Sequence, residues 1–293
     1  MIILESILLG ILQGIFEFLP VSSAGHLVLL YQLLEMDMPS CLPMLALAHL
    51  GSLVAAARFY AKDVRKIRTK LLRIPAGLIE NIRIWYHNKK DGDINRYKWL
   101  FHSNYGKLAL LITLGNVPTI IFGFLFRDWA EAVTNSYLAV GIGFLFSAVF
   151  LLVSTFLPKG NRVPRELHVW EILVVGICQG GAVFPGVSRF ALTLSVFLLL
   201  GMTKLSALKS SLFLSMPIML GAFIRECPGL FADGFSWELL GSYLAVFVFS
   251  AFISMLMIRW CLSLVMDRKM TVFAVYCLLI SIFSIGCHFA IAG

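Results

Sequence analysis

The sequence predicts an all-α polytopic membrane protein made of two inverted repeats, each a re-entrant helix pair followed by three transmembrane helices. Three observations carry this. Apolar residues form 59% of the 293-residue chain and charged residues only 14%, with a mean hydropathy of +0.89, whereas a soluble surface needs roughly 25% charged residues. The apolar residues gather into segments of membrane-spanning length. Two further hydrophobic regions are broken at their middles by similar polar motifs. The whole chain, 1–293, reads as one integral membrane domain.

A transmembrane helix needs about 20 apolar residues to cross the hydrocarbon core. The first region, 1–35, does not supply them in one run, because FLPVSSAGH interrupts it and Pro20 prevents a continuous helix. It lacks a basic leader, carries Glu5 and ends without a small-residue cleavage site, so it is expected to belong to the mature protein. Segments 41–61, 105–126 and 136–157 each cross once. The region 168–201 is broken again, at FPGVSRFALT with Pro185, and is followed by spans 205–224, 239–260 and 271–291. The breaks themselves repeat. QGIFEFLPVSS starts at Gln13, and QGGAVFPGVSR starts 166 residues later at Gln179. That offset superposes the three spans of repeat 1 (1–157) on those of repeat 2 (168–293). An odd number of crossings per repeat makes the second copy inverted.

Charge tests the topology independently. Loops 62–104, 158–167, 201–204 and 261–270 fall on one side and hold most of the Lys and Arg. The opposite loops, 127–135 and 225–238, hold only Arg127 and Arg225. The bias puts the first side in the cytoplasm and both termini outside. Eleven Lys or Arg lie between Lys62 and Lys98, and none lies in the first 57 residues. That clustering beside a span suits anionic lipid and argues against a nucleic-acid partner. The stretch KLLRIPAGLIENIRIWYH has the pattern of an amphipathic helix on the inner leaflet, or of a plain basic connector. The six cysteines are scattered without metal-ligand spacing and read as packing residues.

Ionisable groups deep in a membrane are costly and therefore functional candidates. Here they are Glu17, His26, His49 and Arg189. Gln13 and Glu17 share a helix face, as do Ser23 and His26, and the turn at Pro20 brings Glu17, Ser23 and His26 towards one pocket. Ser22 or Ser23 caps the following helix, leaving amides aimed at the cavity. In the second break Arg189 suits phosphate oxygens, Gly186 permits close backbone approach, Ser188 caps the next helix, and Thr193 follows one turn on. Each has a packing role as its competitor: Glu17–Arg189 as a bare ion pair between repeats, the hydroxyls as interhelical donors, His26 and His49 as core histidines.

The run Gln13-Gly-Ile-Phe-Glu17-Phe-Leu-Pro20-Val-Ser22-Ser23-Ala-Gly25-His26, with Pro185-Gly186-Val-Ser188-Arg189-Phe190-Ala-Leu-Thr193 and the Leu50-Gly51-Ser52 step, resembles the undecaprenyl-diphosphate phosphatase, or bacitracin-resistance, family. The resemblance covers the chain in segment order. It implies hydrolysis of undecaprenyl diphosphate to the monophosphate, recycling the lipid carrier of cell-wall glycan synthesis. It further implies a divalent metal ion (Mg2+ or Ca2+), with Glu17 as its candidate ligand, and a site facing the outer side of the bacterial cytoplasmic membrane. Glu17 becomes the essential carboxylate and Gln13 its partner. Ser23 and His26 become nucleophile and base, or else positioners of substrate and water. Arg189 clamps the diphosphate with Ser188 and Thr193. Two positions depart from the pattern: Phe190 replaces a serine, and His49 stands where the family often has Gln. A polyprenyl-phosphate flippase using the same anion site is the rival reading, since broken helices meeting at mid-membrane are also transporter architecture.

Overall fold

The computed structural model describes the chain apart from residues 1, 35–37, 92–93, 99, 102, 135, 232–235, 268–269 and 293. The basic pair Arg268 and Lys269, counted above with the cytoplasmic charges, lies outside the described residues. The described residues form twelve α-helices: α1 (Ile2–Phe16), α2 (Ser23–Leu33), α3 (Met38–Phe59), α4 (Ala61–Asp91), α5 (Asn104–Leu125), α6 (Arg127–Thr134), α7 (Tyr137–Thr155), α8 (Val169–Gly180), α9 (Arg189–Leu199), α10 (Lys204–Glu226), α11 (Trp237–Asp267) and α12 (Met270–Ala292).

Five of these, α5, α7, α10, α11 and α12, are long and apolar enough to cross a membrane. Span 41–61 corresponds to α3, which turns through 95° into α4. By contrast α1, α2, α8 and α9 have 15, 11, 12 and 11 residues. A helix of 11 residues rises only about 16 Å, roughly half the hydrocarbon thickness. The two interrupted regions are thus helix–break–helix pairs, and non-helical backbone at that depth must be enclosed by protein.

The repeats exchange partners: α1 packs on α11, α8 packs on α5, and the last helices of the two repeats, α7 and α12, pack on each other. With lipid outside, close packing and hydroxyl bonds hold such pairs. Ser281 and Ser284 of α12 donate to the carbonyls of Gly141 and Tyr137 on α7, both at 2.7 Å. On α5, Thr119 donates to Gly176 O of α8 at 2.8 Å. Between α3 and α11, Ser52 bonds Ser250 at 3.0 Å and Ser254 at 2.9 Å, and Ser250 donates to Ala48 O.

The second re-entrant pair is clipped at its open end by Arg162. Its guanidinium donates to both Glu171 oxygens, at 2.7 and 2.9 Å, and to Leu200 O at 2.7 Å. Its backbone bridges Gly201 and Thr203. One residue before α8 and residues after α9 are thereby joined.

The basic stretch is a single 31-residue helix, α4. Leu72, Ile79, Ile82 and Tyr86 recur along it at spacings of seven, three and four and are exposed, with Arg73, Arg83, Lys89 and Lys90 nearby. An apolar stripe edged by cations, on a helix turned at a right angle to its span, suits the plane of a membrane surface.

Candidate active site

Each break ends in a serine that caps the next helix. In the first, Ser22 adopts the left-handed conformation (φ 64°), and its Oγ accepts from Gly25 N at 3.2 Å. In the second, the left-handed residue is Gly186 (φ 82°), and Ser188 Oγ accepts from Ala191 N at 3.1 Å. The breaks touch at glycines, because a Cβ on Gly25 would lie 2.8 Å from Gly186 Cα. A Cβ on Gly186 would lie 2.1 Å from Val140 O of α7. Ser147 of α7 fastens the second break from below, accepting from Ser188 N at 2.7 Å and donating to Gly186 O at 3.2 Å.

This contact brings the first residues of α2 and α9 to one carboxylate. Ser23 Oγ donates to Glu17 Oε2 at 2.7 Å. Arg189 Nη2 donates to Glu17 Oε1 at 2.9 Å. Gln13 Nε2 donates to Glu17 Oε2 at 2.7 Å and lies 2.7 Å from His49 Nδ1, which is itself 3.3 Å from Oε2. Glu17, whose side chain is 6% exposed, is thus compensated by one full charge and several donors. A lone carboxylate at that depth would be very costly. Removing one partner of such a pair leaves the other buried and uncompensated, at about 3–5 kcal/mol.

A cavity of about 580 Å3 opens on this cluster. Glu17, Ser22, Ser23, His49, Ser188 and Arg189 line it, as do Asn116, Thr119 and Gln179. Ile120, Phe124, Met216, Pro217 and Ala222 supply much of its apolar wall. Ile120 and Phe124 are also 49% and 79% exposed, so that wall continues into the outer surface of α5. An anion with a long hydrocarbon tail fits such a space: polar groups hold the head while the apolar wall leads outward.

The predicted residues divide into two groups. Glu17, Gln13, Ser23 and Arg189 are bonded together, and Ser22, Gly186 and Ser188 shape the breaks that bring them there. His26 and Thr193 stand behind. His26 donates from Nδ1 to Ser22 O and pairs through Nε2 with the Tyr276 hydroxyl, both at 2.8 Å, while its ring stacks on Phe16. Ser23 lines the cavity and His26 does not, so their helical spacing does not translate into a shared opening. Thr193 Oγ1 donates to Arg189 O at 2.9 Å, a bond within its own helix.

Three features go beyond what the sequence assigned. His49 joins the carboxylate cluster, and the family resemblance flags the position through its unusual residue. Ser147 carries no sequence signal beyond a polar residue in an apolar span. Gln179, at the position matching Gln13, donates to Asn116 Oδ1 at 2.8 Å and Thr119 Oγ1 at 3.0 Å, forming a neutral cluster where the first repeat has a charged one.

Among the described residues no group of three His, Cys, Asp or Glu side chains stands ready for a metal ion. Mg2+, however, is commonly held by one or two carboxylates together with substrate phosphates. Glu17, with the buried and unpaired Gln13 Oε1 beside it, fits a hard cation on those terms only, with phosphate oxygens completing the shell.

Fold and site define a class: a polytopic membrane protein in which two re-entrant helix pairs assemble a buried anion site around one carboxylate. The chain belongs to the bacitracin resistance protein BacA family, whose pattern it matches over residues 6–283. It is 33% identical to the undecaprenyl-diphosphatase of Methanosphaera stadtmanae over 97% of both chains. It is 31% identical to that of Desulforapulum autotrophicum over 96% of both. With that of Thermosipho melanesiensis it shares 32% identity over 95% of this chain and 96% of the relative.

Proposed function

We propose that the protein hydrolyses undecaprenyl diphosphate to undecaprenyl phosphate and inorganic phosphate, returning a lipid carrier to cell-wall glycan synthesis. Whole-length similarity to proteins named undecaprenyl-diphosphatase supports this. The single observation that carries it is the bonding of Glu17 to a hydroxyl on one oxygen and a guanidinium on the other. A transporter needs only the anion-binding half of that arrangement; a buried carboxylate on a hydroxyl is the activating half.

Phosphoryl transfer depends chiefly on alignment and charge neutralisation. In the resting site Arg189 and Glu17 satisfy each other. An arriving diphosphate draws the Arg189 fork onto its oxygens, which frees Glu17 to take a proton. Glu17 Oε2 then removes the Ser23 proton, and Ser23 Oγ attacks the terminal phosphorus. The bond from that phosphorus to the bridging oxygen breaks, and polyprenyl monophosphate leaves. Water next attacks the phosphorus of the phosphoserine, its bond to Ser23 Oγ breaks, Glu17 returns its proton to Oγ, and inorganic phosphate leaves with the protons of the water. The capped starts of α2 and α9 face the accumulating charge with their free amides. Glu17, together with substrate phosphate oxygens, would hold a divalent ion, which would supply further neutralisation of that charge.

Charge bias supports a location for the site. The basic loops lie in the cytoplasm, α4 rests on the inner leaflet, and the cavity opens on the outer side, at the ends of α5 and α10.

The test is release of inorganic phosphate from a polyprenyl diphosphate by purified protein in detergent with Mg2+ or Ca2+. Stoichiometric monophosphate, and arrest by a chelator reversed on adding the ion, are expected. Transbilayer movement of the lipid phosphate in liposomes with no phosphate release under any divalent ion would replace hydrolysis by transport.

A further inference from the structure

One histidine reaches the cavity from a helix outside both breaks. His49 lies on α3, where Ala48, Gly51 and Ser52 face α11: Ser52 bonds Ser250 and Ser254, Ala48 O accepts from Ser250, and a Cβ on Gly51 would lie 2.6 Å from Phe247 O. With that face fixed, His49 turns towards α1, and it lines the cavity together with Ala56, two turns further on.

The tautomer follows from its neighbours. Gln13 Nε2 is 2.7 Å from both Glu17 Oε2 and His49 Nδ1. Turning the amide over would set its oxygen against the carboxylate, so the nitrogen faces both and one hydrogen reaches each. With that amide hydrogen on it, His49 Nδ1 accepts, which leaves the ring's proton on Nε2; the 3.3 Å approach of Nδ1 to Glu17 Oε2 is then a contact and not a hydrogen bond. Nε2 has no hydrogen-bond partner among the described residues.

We infer that His49 is a phosphate-binding residue, its Nε2–H donating to a non-bridging oxygen of the lipid diphosphate beside Arg189. The inference rests on the diphosphate reading above and adds to it a contact from α3. A Gln at this position would likewise offer an N–H donor from mid-helix, which makes it the conservative variant. Gln13 gains a defined task, because its amide holds the ring in the donating tautomer.

Steady-state kinetics on purified variants test this. His49→Ala is expected to lose about tenfold in kcat/KM, mostly through KM, the effect of one hydrogen bond to a charged group. His49→Gln restores KM towards that of the unsubstituted protein. Unchanged kcat/KM in His49→Ala, or a His49→Gln protein as impaired as His49→Ala, overturns the inference. Nitrogen NMR of 15N-histidine-labelled protein, with His49→Gln identifying the resonance, reads the same contact without turnover. A neutral Nε2–H ring whose Nε2 signal moves on adding a non-hydrolysable isoprenyl methylenebisphosphonate is expected. An Nδ1–H ring, or no movement on binding, overturns it. If the unsubstituted protein releases no phosphate, hydrolysis fails while the NMR arm still decides the contact. An active enzyme indifferent to His49→Ala fails this inference alone.

Discussion

The two breaks use the same device with unlike residues. Both begin at a glutamine, Gln13 or Gln179, and both end in a capping serine, Ser22 or Ser188. The residue after each cap, Ser23 or Arg189, bonds Glu17, one on each oxygen. Where the first repeat has Glu17, the second has Val183. Carboxylates at both positions would face each other across the contact and resist ionising together. Guanidiniums at both capped ends would likewise repel. Symmetry supplies two facing breaks, and chemistry requires that they differ: the first keeps the acid and the nucleophile, the second the cation.

Substitutions that blur this difference should cost most. Glu17→Gln keeps the side chain's size and removes its charge and basicity; phosphate release should fall by about a thousandfold or more, measured per folded molecule. Arg189→Lys keeps the charge but not the fork, and should lose about a hundredfold in kcat/KM in the same assay. Gly186→Ala attacks the backbone instead: a Cβ at φ 82° would sit 2.1 Å from Val140 O. The expected destabilisation is about 2–4 kcal/mol, seen as a lower thermal unfolding midpoint in detergent.

The glutamines give the finest comparison. Gln13→Leu strips a donor from Glu17 and His49 and should lower kcat/KM about tenfold. Gln179→Leu leaves Asn116 Oδ1 without that donor in a neutral cluster, so it should lower stability by about 1–3 kcal/mol and cost less turnover per folded molecule than Gln13→Leu does. Equal kinetic losses in the two would erase the distinction between charged and neutral clusters. The smallest effect is expected from Ser22→Ala, which loses a cap worth about 1 kcal/mol.

The spans were legible because hydrophobic length is a local property: 105–126, 136–157 and 205–224 lie within a few residues of α5, α7 and α10. The convergence of Glu17 and Arg189 was legible because a membrane makes unpaired charge so costly that two buried charges in matching breaks have to meet. His49 was harder to assign, since its partner Gln13 sits 36 residues away on another helix. The position of His26 was hidden for the same reason. Helical spacing places it near Ser23, but its ring is held by Tyr276, 250 residues distant. Asn116 and Ser147 show in the sequence only as single polar residues in apolar spans, and only the packing of α5 on α8 and of α7 beneath the second break gives them partners.

The account turns on Ser23 and Arg189 meeting one carboxylate in order to transfer a phosphoryl group. Acid quenching of a single turnover, with polyprenyl diphosphate labelled at its terminal phosphorus, tests it most directly. Label recovered on Ser23 at early times, and absent from the Glu17→Gln protein, is the predicted result. Label found only in free phosphate at every time, together with a Ser23→Ala protein that turns over at the unsubstituted rate, would contradict it.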